Sequence, residues 1–212
     1  MSSVVVVGAG GHAKVIIDML IDNGVDVAAC VANADSAPYR GVEVLVGDDS
    51  LAALRARGVD GAVIAVGANA LRARLGDEAE ALGFSLPSVV SRSAQLSPTA
   101  VIGDGAVVMP HAVINADARI GRLAIVNTGA TVDHDCVIGD GAHVAPGVHF
   151  SGGVRIGART LVGVGSSARP LVTVGSDAVI GAGSVLVSDI ADGLTAYGAP
   201  ARPTNHTGST HD

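Results

Sequence analysis

From Leu96 onward the chain places a large apolar residue every six positions: Leu96, Ile102, Val108, Ile114, Ile120, Val126, Val132, Ile138, Val144, Phe150, Ile156, Val162, Ala168, Val174, Ile180 and Leu186. Only Phe150 and Ala168 are not Leu, Ile or Val. Four residues after each comes a mostly small one, as at Ala100, Ala106, Ala112, Ala118, Ala124, Ala130, Cys136 and Ala142, and later at Ser166, Ala178 and Ser184. Glycine often follows the aliphatic residue, as at Gly103, Gly121, Gly139, Gly157, Gly163, Gly175 and Gly181. A period of six matches neither an α-helix nor an alternating strand. It predicts short strands and turns in succession, each unit turning one large and one small side chain into a thin core. Three units close a triangular coil, and coils stack as parallel strands about 4.8 Å apart. Gly and Asp/Asn near the corners suit turns with positive φ. A chance run inside an ordinary β-sandwich would not hold this register, and a repeat of this kind decides the fold.

The first third has a different rhythm. Val4–Val7 is a short apolar run, followed by Gly8-Ala9-Gly10-Gly11-His12-Ala13-Lys14 and a helical stretch from Val15 to Asn23. A strand is expected near Val27–Val31, a helix over Leu51–Arg57, a strand over Ala62–Val66 and a helix over Asn69–Leu82. Alternating strands and helices predict a small parallel α/β unit. Gly8, Gly10 and Gly11 fall where the first strand turns into a helix, a geometry that accepts phosphate. The third glycine of a dinucleotide fingerprint is replaced by Ala13, and the unit has too few strands for a full dinucleotide fold. The expected division is therefore residues 1–90 as a Rossmann-like α/β domain, 91–203 as a parallel β-helix, and 204–212 as a polar, disordered tail.

Composition sharpens this picture. Hydrophobic residues make up 49% of 212, yet only 2% are aromatic, so the core is aliphatic and narrow. The formal charge of −7 argues against a nucleic-acid partner. It does not exclude a nucleotide, which backbone N–H groups can hold. Cys30 and Cys136 read as two buried free thiols. The N-terminus has no signal-like segment, and no run of apolar residues is long enough to span a membrane. The expectation is a soluble, cytoplasmic protein without a membrane partner.

Units such as Ile138-Gly139-Asp140-Gly141-Ala142-His143 and Ile180-Gly181-Ala182-Gly183-Ser184-Val185 resemble the hexapeptide-repeat acyltransferases. The loop from Gly8 to Lys14, the segment Ala65-Val66-Gly67-Ala68-Asn69-Ala70-Leu71-Arg72, the stretch from Asn127 to Cys136 and the run Gly198-Ala199-Pro200-Ala201-Arg202 extend the likeness over nearly the whole chain. Together they resemble the sugar acetyltransferases that join a small Rossmann-like domain to a β-helix: bacillosamine-type and GDP-perosamine-type N-acetyltransferases and sialic acid O-acetyltransferases. The resemblance implies a left-handed β-helix, against the usual crossover hand. It also implies a homotrimer with acetyl-CoA between neighbouring helices, a nucleotide-linked amino sugar as acceptor, and no metal.

Acetyl transfer to an amine or hydroxyl needs a base for the nucleophile's proton and donors for the oxyanion. His134, in a turn between repeats, is the candidate base, with Asp135 as the carboxylate that favours its imidazolium; on residues alone it reads equally as a solvated turn residue. The resemblance assigns acetyl-CoA contacts to His143, Gly152, Val164 and Ala182, with the Gly152 N–H facing the thioester oxygen. Arg169 and Arg202 are candidates for its phosphates. Gly10, Gly11 and His12 match the family's phosphate and sugar loop, and Gly67 a glycine near the base; His12 can equally cap its helix. Relatives carry acidic residues where this chain has Asn33, with Asp35 displaced by one or two positions. Relatives also have His-Pro-Ser-Ala where this chain has Ser91-Arg92-Ser93-Ala94.

N-acetylation of an amino sugar on a nucleotide carrier is the leading function, and O-acetylation of a sugar or sialic acid by the same machinery is the alternative. A zinc enzyme of the γ-carbonic anhydrase type needs three histidines on one metal. His111, His134, His143 and His149 lack the spacing for it. A non-catalytic nucleotide-sugar-binding scaffold would not need the His134-Asp135 pair, and an NAD-dependent oxidoreductase would need a larger dinucleotide domain.

Overall fold

The computed structural model describes residues 3–33, 37–47 and 49–204. The N-terminal unit contains β1 (Val4–Val7), α1 (Gly11–Asp22), β2 (Val27–Ala32), β3 (Val44–Val46), α2 (Asp49–Ala56), β4 (Gly61–Ile64) and α3 (Asn69–Ala81). Its four parallel strands lie in the order β3-β2-β1-β4. The chain winds one way from β1 to β3 and then crosses to the other side for β4. The strand order thus reverses between β1 and β4, and ligand crevices form at the carboxyl ends of such a pair. The residues of β1 and β4 are buried on both faces, as a covered parallel sheet requires. One face packs Val4, Val6 and Val63 against Ile16, Ile17 and Leu20 of α1. The other packs Val5, Val7 and Ile64 against Leu54 of α2 and Ala79 of α3.

Two features of this unit escaped the pattern. Helix α1 begins at Gly11 rather than near Val15, because Gly10 takes an extended N-cap conformation and the glycines lead straight into the first turn. Strand β3 is only Val44–Val46, too short to establish a period.

The remainder is a triangular prism of very short strands in three parallel sheets. Thr131 pairs with Val113 and His149, and Ile120 with Ile102 and Ile138, so each strand stacks on the third one before it and the third one after it. Three repeat units therefore make one coil, as the spacing predicts. The large residue of each unit occupies the second position of its strand, buried from Val108 through Leu186. The register begins one unit before Leu96, with β5 (Val89–Val90) paired to Val107–Val108. It ends with a shortened coil, in which Ile180 pairs with Ala196 and Val174 with Ile190 rather than with the positions the period would choose. A hairpin of Thr195–Gly198 and Ala201–Thr204 closes that end. Three small inward positions carry hydroxyls, and each finds a carbonyl: Thr160 donates to Gly175, and Ser166 and Ser184 to Gly181. Cys30 and Cys136 are buried and free. Residues 205–212 of the expected tail lie outside the described residues, while Thr204 ends the closing strand.

The N-terminal unit sits on the sheet that begins with β5 and on the corner before it. Val89, Val107 and Met109 join the core under α1. Leu123 inserts beside Gly76 of α3, where a Cβ would collide with its Cδ1. Arg122 bridges Asp77 and Glu80, and Asn69 donates to the Arg159 carbonyl at 2.7 Å. The corner bearing His134 is the prism edge opposite that sheet.

Candidate active site

The turn Asp133-His134-Asp135-Cys136 projects from that opposite edge. Asp133 Oδ1 accepts the His134 N–H at 2.8 Å and the Asn115 side-chain amide from the coil above at 2.8 Å. The Asn115 bond first, and the His134 N–H second, hold the Asp133 carboxyl below its ordinary value. Asp135 takes a left-handed conformation, φ 59°, which suits a short polar residue. Its Oδ2 lies 2.8 Å from His134 Nδ1. A carboxylate only accepts, so Nδ1 carries the proton and Nε2 is left with a lone pair. The His134 pKa is raised, first by this bond and next by the Asp133 charge. Both side chains are exposed, at 60% and 66%.

The imidazole rests on Gly152, one coil below. A Cβ there would stand 2.5 Å from His134 Cε1 and Nε2. The Gly152 N–H makes no hydrogen bond among the described residues, while its carbonyl accepts from Leu171 at 3.0 Å. Val164 and Ala182 stack one coil apart on a different corner column. Both are exposed, and their N–H groups are likewise free of partners among the described residues.

A second cluster lies where the domains meet. Gly10 caps α1 without a side-chain bond. The first N–H groups of the helix, at Gly11 and His12, therefore face outward with the positive end of the dipole. Gly67 follows β4 across the crevice. Gly10, Gly11 and Gly67 have no positive φ, and a Cβ on any of them would meet nothing within 4 Å. Neither packing nor conformation requires glycine there, and the backbone at all three is open to close approach. Gly8 is different: its φ is 120°, and a Cβ would press the Ala65 carbonyl at 2.7 Å. A cleft of about 310 Å³ opens beside Gly8, lined also by Asn33, Gly47, Arg74 and Glu78.

His12 and His143 face each other with ring centroids 6.5 Å apart. Each pKa is lowered to about 4, chiefly by burial and next by the charge of Arg72. Asn127 Nδ2 donates to His143 Nε2 at 3.0 Å. His12 Nε2 is buried with no partner among the described residues.

Comparison with known proteins follows the same division. Residues 3–79 match the family model "PglD N-terminal domain", and residues 99–134 match "Bacterial transferase hexapeptide (six repeats)". A histidine-to-asparagine variant of perosamine N-acetyltransferase from Caulobacter crescentus, in complex with CoA and GDP-perosamine, is 43% identical. The match covers 97% of this chain and 98% of that one, with a TM-score of 0.95. This chain belongs to the hexapeptide-repeat sugar acetyltransferase family. The acetyltransferase domain of PglB from Neisseria gonorrhoeae, in complex with acetyl coenzyme A, is 40% identical over 95% of this chain and 98% of its own, with a TM-score of 0.90. The uncharacterized protein L142 of Acanthamoeba polyphaga mimivirus is 32% identical over 119 residues; the match spans 56% of this chain and only 23% of that relative's length.

Against this family frame, the structure brings His134, Asp135 and Gly152 together, and separately Gly10, Gly11, His12 and Gly67. It places His143 with the second group rather than beside His134. Arg169 donates to the Val187 carbonyl from the His134 edge, whereas Arg202 is exposed on the closing hairpin, so within one chain the two arginines lie on different parts of the prism. Asn33 reaches the cleft, and Asp35 lies outside the described residues. Ser91 and Ser93 pair their hydroxyls at 3.1 Å across the turn Ser91-Arg92-Ser93-Ala94. Among the described residues no three His, Cys, Asp or Glu side chains gather to hold a metal, and no helix is long and apolar enough to cross a membrane.

Sequence reasoning gave no role to Arg72. It is 1% exposed and donates to the carbonyls of Val66, Gly67, Leu123 and Gly141, and to Asn69 Oδ1. With no carboxylate beside it among the described residues, its charge is held by carbonyl dipoles, and burial lowers its pKa to about 10. It fastens the Gly67 loop to the β-helix. The signal was present: Arg72, Gly76 and Ala79 share the buried face of α3 at helical spacing.

Proposed function

We propose that the chain is an acetyl-CoA-dependent N-acetyltransferase acting on the amino group of a nucleotide-linked amino sugar by direct attack. The observation that carries this reading is the His134–Asp135 pair, oriented by a 2.8 Å bond on an exposed edge and seated on Gly152. The neutral amine attacks the thioester carbonyl carbon as His134 Nε2 takes its proton. The tetrahedral oxyanion is held by backbone donors, for which the free Gly152 N–H is the nearest candidate. Collapse breaks the C–S bond, and the thiolate leaves as CoA-SH with the proton returned from His134. Val164 and Ala182 offer backbone donors to the pantetheine arm; His143 joins the donor site from the domain side. Gly10, Gly11, His12 and Gly67 hold the nucleotide and sugar, phosphate on the first turn of α1.

Within one chain the sugar site and His134 lie on different prism edges. That arrangement supports a homotrimer in which the sugar nucleotide held by one copy meets His134 of the next. Two unpaired cysteines fit a reducing cytoplasm. The perosamine relative holds GDP-perosamine, so GDP-linked 4-amino sugars are the first acceptors to try. The test is thiol release from acetyl-CoA against UDP-, GDP- and dTDP-linked amino sugars beside hydroxyl acceptors. Release with an amino sugar alone supports the reading; release only with hydroxyl compounds replaces it by O-acetylation. Silence throughout would leave a binding protein.

A further inference from the structure

Among the described residues eight non-glycine ones have positive φ, and only two of these, Leu123 and Leu171, are large and apolar. A side chain with a Cβ is unfavourable there, so each leucine needs a reason. Leu123 has one inside the chain: it is 1% exposed, wedged against α3. Leu171 has none, being 76% exposed. It occupies the corner slot that Asp117, Asp135 and Gly153 fill in the three preceding coils. Its N–H is anchored to the Gly152 carbonyl at 3.0 Å, and its Cδ2 lies over Gly153, where a Cβ would stand 2.6 Å away. The His134 ring lies over Gly152. The two side chains thus cover adjacent residues of one turn from opposite coils, no more than about 12 Å apart.

We propose that Leu171 is a specificity-determining residue, the apolar wall that meets the acyl group of the CoA thioester. This rests on the acetyl-transfer reading above. With the amine within hydrogen-bond reach of His134 and the carbonyl carbon in attack distance of the amine, the methyl of an acetyl group falls roughly 5–7 Å from the imidazole. That distance is within the span Leu171 covers. A longer acyl chain extends toward its isobutyl group, and a smaller residue leaves room for it.

The test compares kcat/KM for acetyl-CoA and propionyl-CoA with one nucleotide-linked amino sugar in the full chain, Leu171→Ala and Leu171→Gly. Glycine also relieves the backbone, so at least one variant folds well. Calorimetric Kd values for the two thioesters give a second readout independent of turnover, and sedimentation gives the assembly state. The expected result is a rise of about tenfold or more in the propionyl-to-acetyl ratio, the value of one methylene in a pocket, with unchanged mass. A ratio within about twofold of the parent in both readouts overturns the proposal. If the mass falls while the ratio stands still, Leu171 instead contacts a second copy of the chain. Should the parent chain transfer acetyl to no amino sugar, the acetyl-transfer reading fails by itself, and the Kd ratio still reports on Leu171.

Discussion

Gly152→Ala is the sharpest test of how the base is held. The glycine has no positive φ, so its backbone accepts alanine. The new Cβ stands 2.5 Å from His134 Cε1 and Nε2, and 3.1 Å from Nδ1. Ordinary contact begins near 3.4 Å, so the ring must move by about 1 Å, a misplacement worth roughly 10²-fold in rate. Movement is cheap for stability because His134 is 60% exposed and swings toward solvent. Alanine also restricts the unfolded chain, so the thermal midpoint should stay within about 2 °C. The assay is steady-state thiol release beside a thermal melt, with His134→Ala and the double variant in parallel. Loss through the base makes the double variant no worse than His134→Ala alone. Turnover of Gly152→Ala within about threefold of the parent refutes the steric argument. Additive losses in the double variant refute the route through His134 and leave the Gly152 N–H as the affected group.

Asp135→Asn keeps a residue that tolerates the left-handed backbone but removes the carboxylate whose hydrogen bond is the first cause of the raised His134 pKa. The acidic limb of kcat/KM, where protonated His134 cannot act as base, should therefore move to lower pH, toward the ordinary imidazole value; an unmoved limb argues against the pairing. Arg72→Lys should lower unfolding free energy by about 3–5 kcal/mol in denaturant titration, because one ammonium cannot replace the fork that serves Val66, Gly67, Leu123 and Gly141. Gly10→Ala and Gly67→Ala meet no protein atom and should leave the melt unchanged while raising KM for the nucleotide sugar about tenfold or more; an unchanged KM would remove both glycines from the site. His12 and His143 stay neutral in the folded chain down to about pH 4, whereas the unfolded chain takes up protons from about pH 6.5. Between those values the unfolded state binds more protons, so stability falls as pH falls. His143→Gln should flatten the midpoint-versus-pH curve in that window.

The β-helix was legible because its core is written in a strict period, and a six-residue register survives even a poor residue such as Ala168 in one slot. What escaped were the ends, where the period is too short to count. Val90 is one unit before the run, beside the segment that joins the two domains, and the last coil is cut short after Leu186. The N-terminal sheet was legible in β1 and β4, which are buried on both faces, but not in the short, half-exposed β3. His134 and Asp135 came from a motif; Arg72 did not, because its only trace in the sequence is the helical spacing it shares with Gly76 and Ala79, and an arginine served by carbonyls has no charged partner to add to it.

A β-helix is informative when its sequence is set out one coil to a row, so that stacked positions form columns. Inward columns vary little, since every coil fills the same thin core. An outward column has no packing reason to change character, so a change within it marks chemistry. The column Ala116, His134, Gly152, Pro170 holds the proposed base and the glycine that makes room for it. Its neighbour Asp117, Asp135, Gly153, Leu171 passes from two turn-adapted carboxylates through glycine to an exposed leucine in the same left-handed slot. The glycines at 152 and 153 are each covered by a side chain from an adjacent coil, one catalytic in this reading and one apolar. Two adjacent columns depart from turn chemistry on either side of one glycine pair, at His134 in the coil before it and at Leu171 in the coil after it, which is the pattern expected where the edge is shaped around a ligand rather than around solvent.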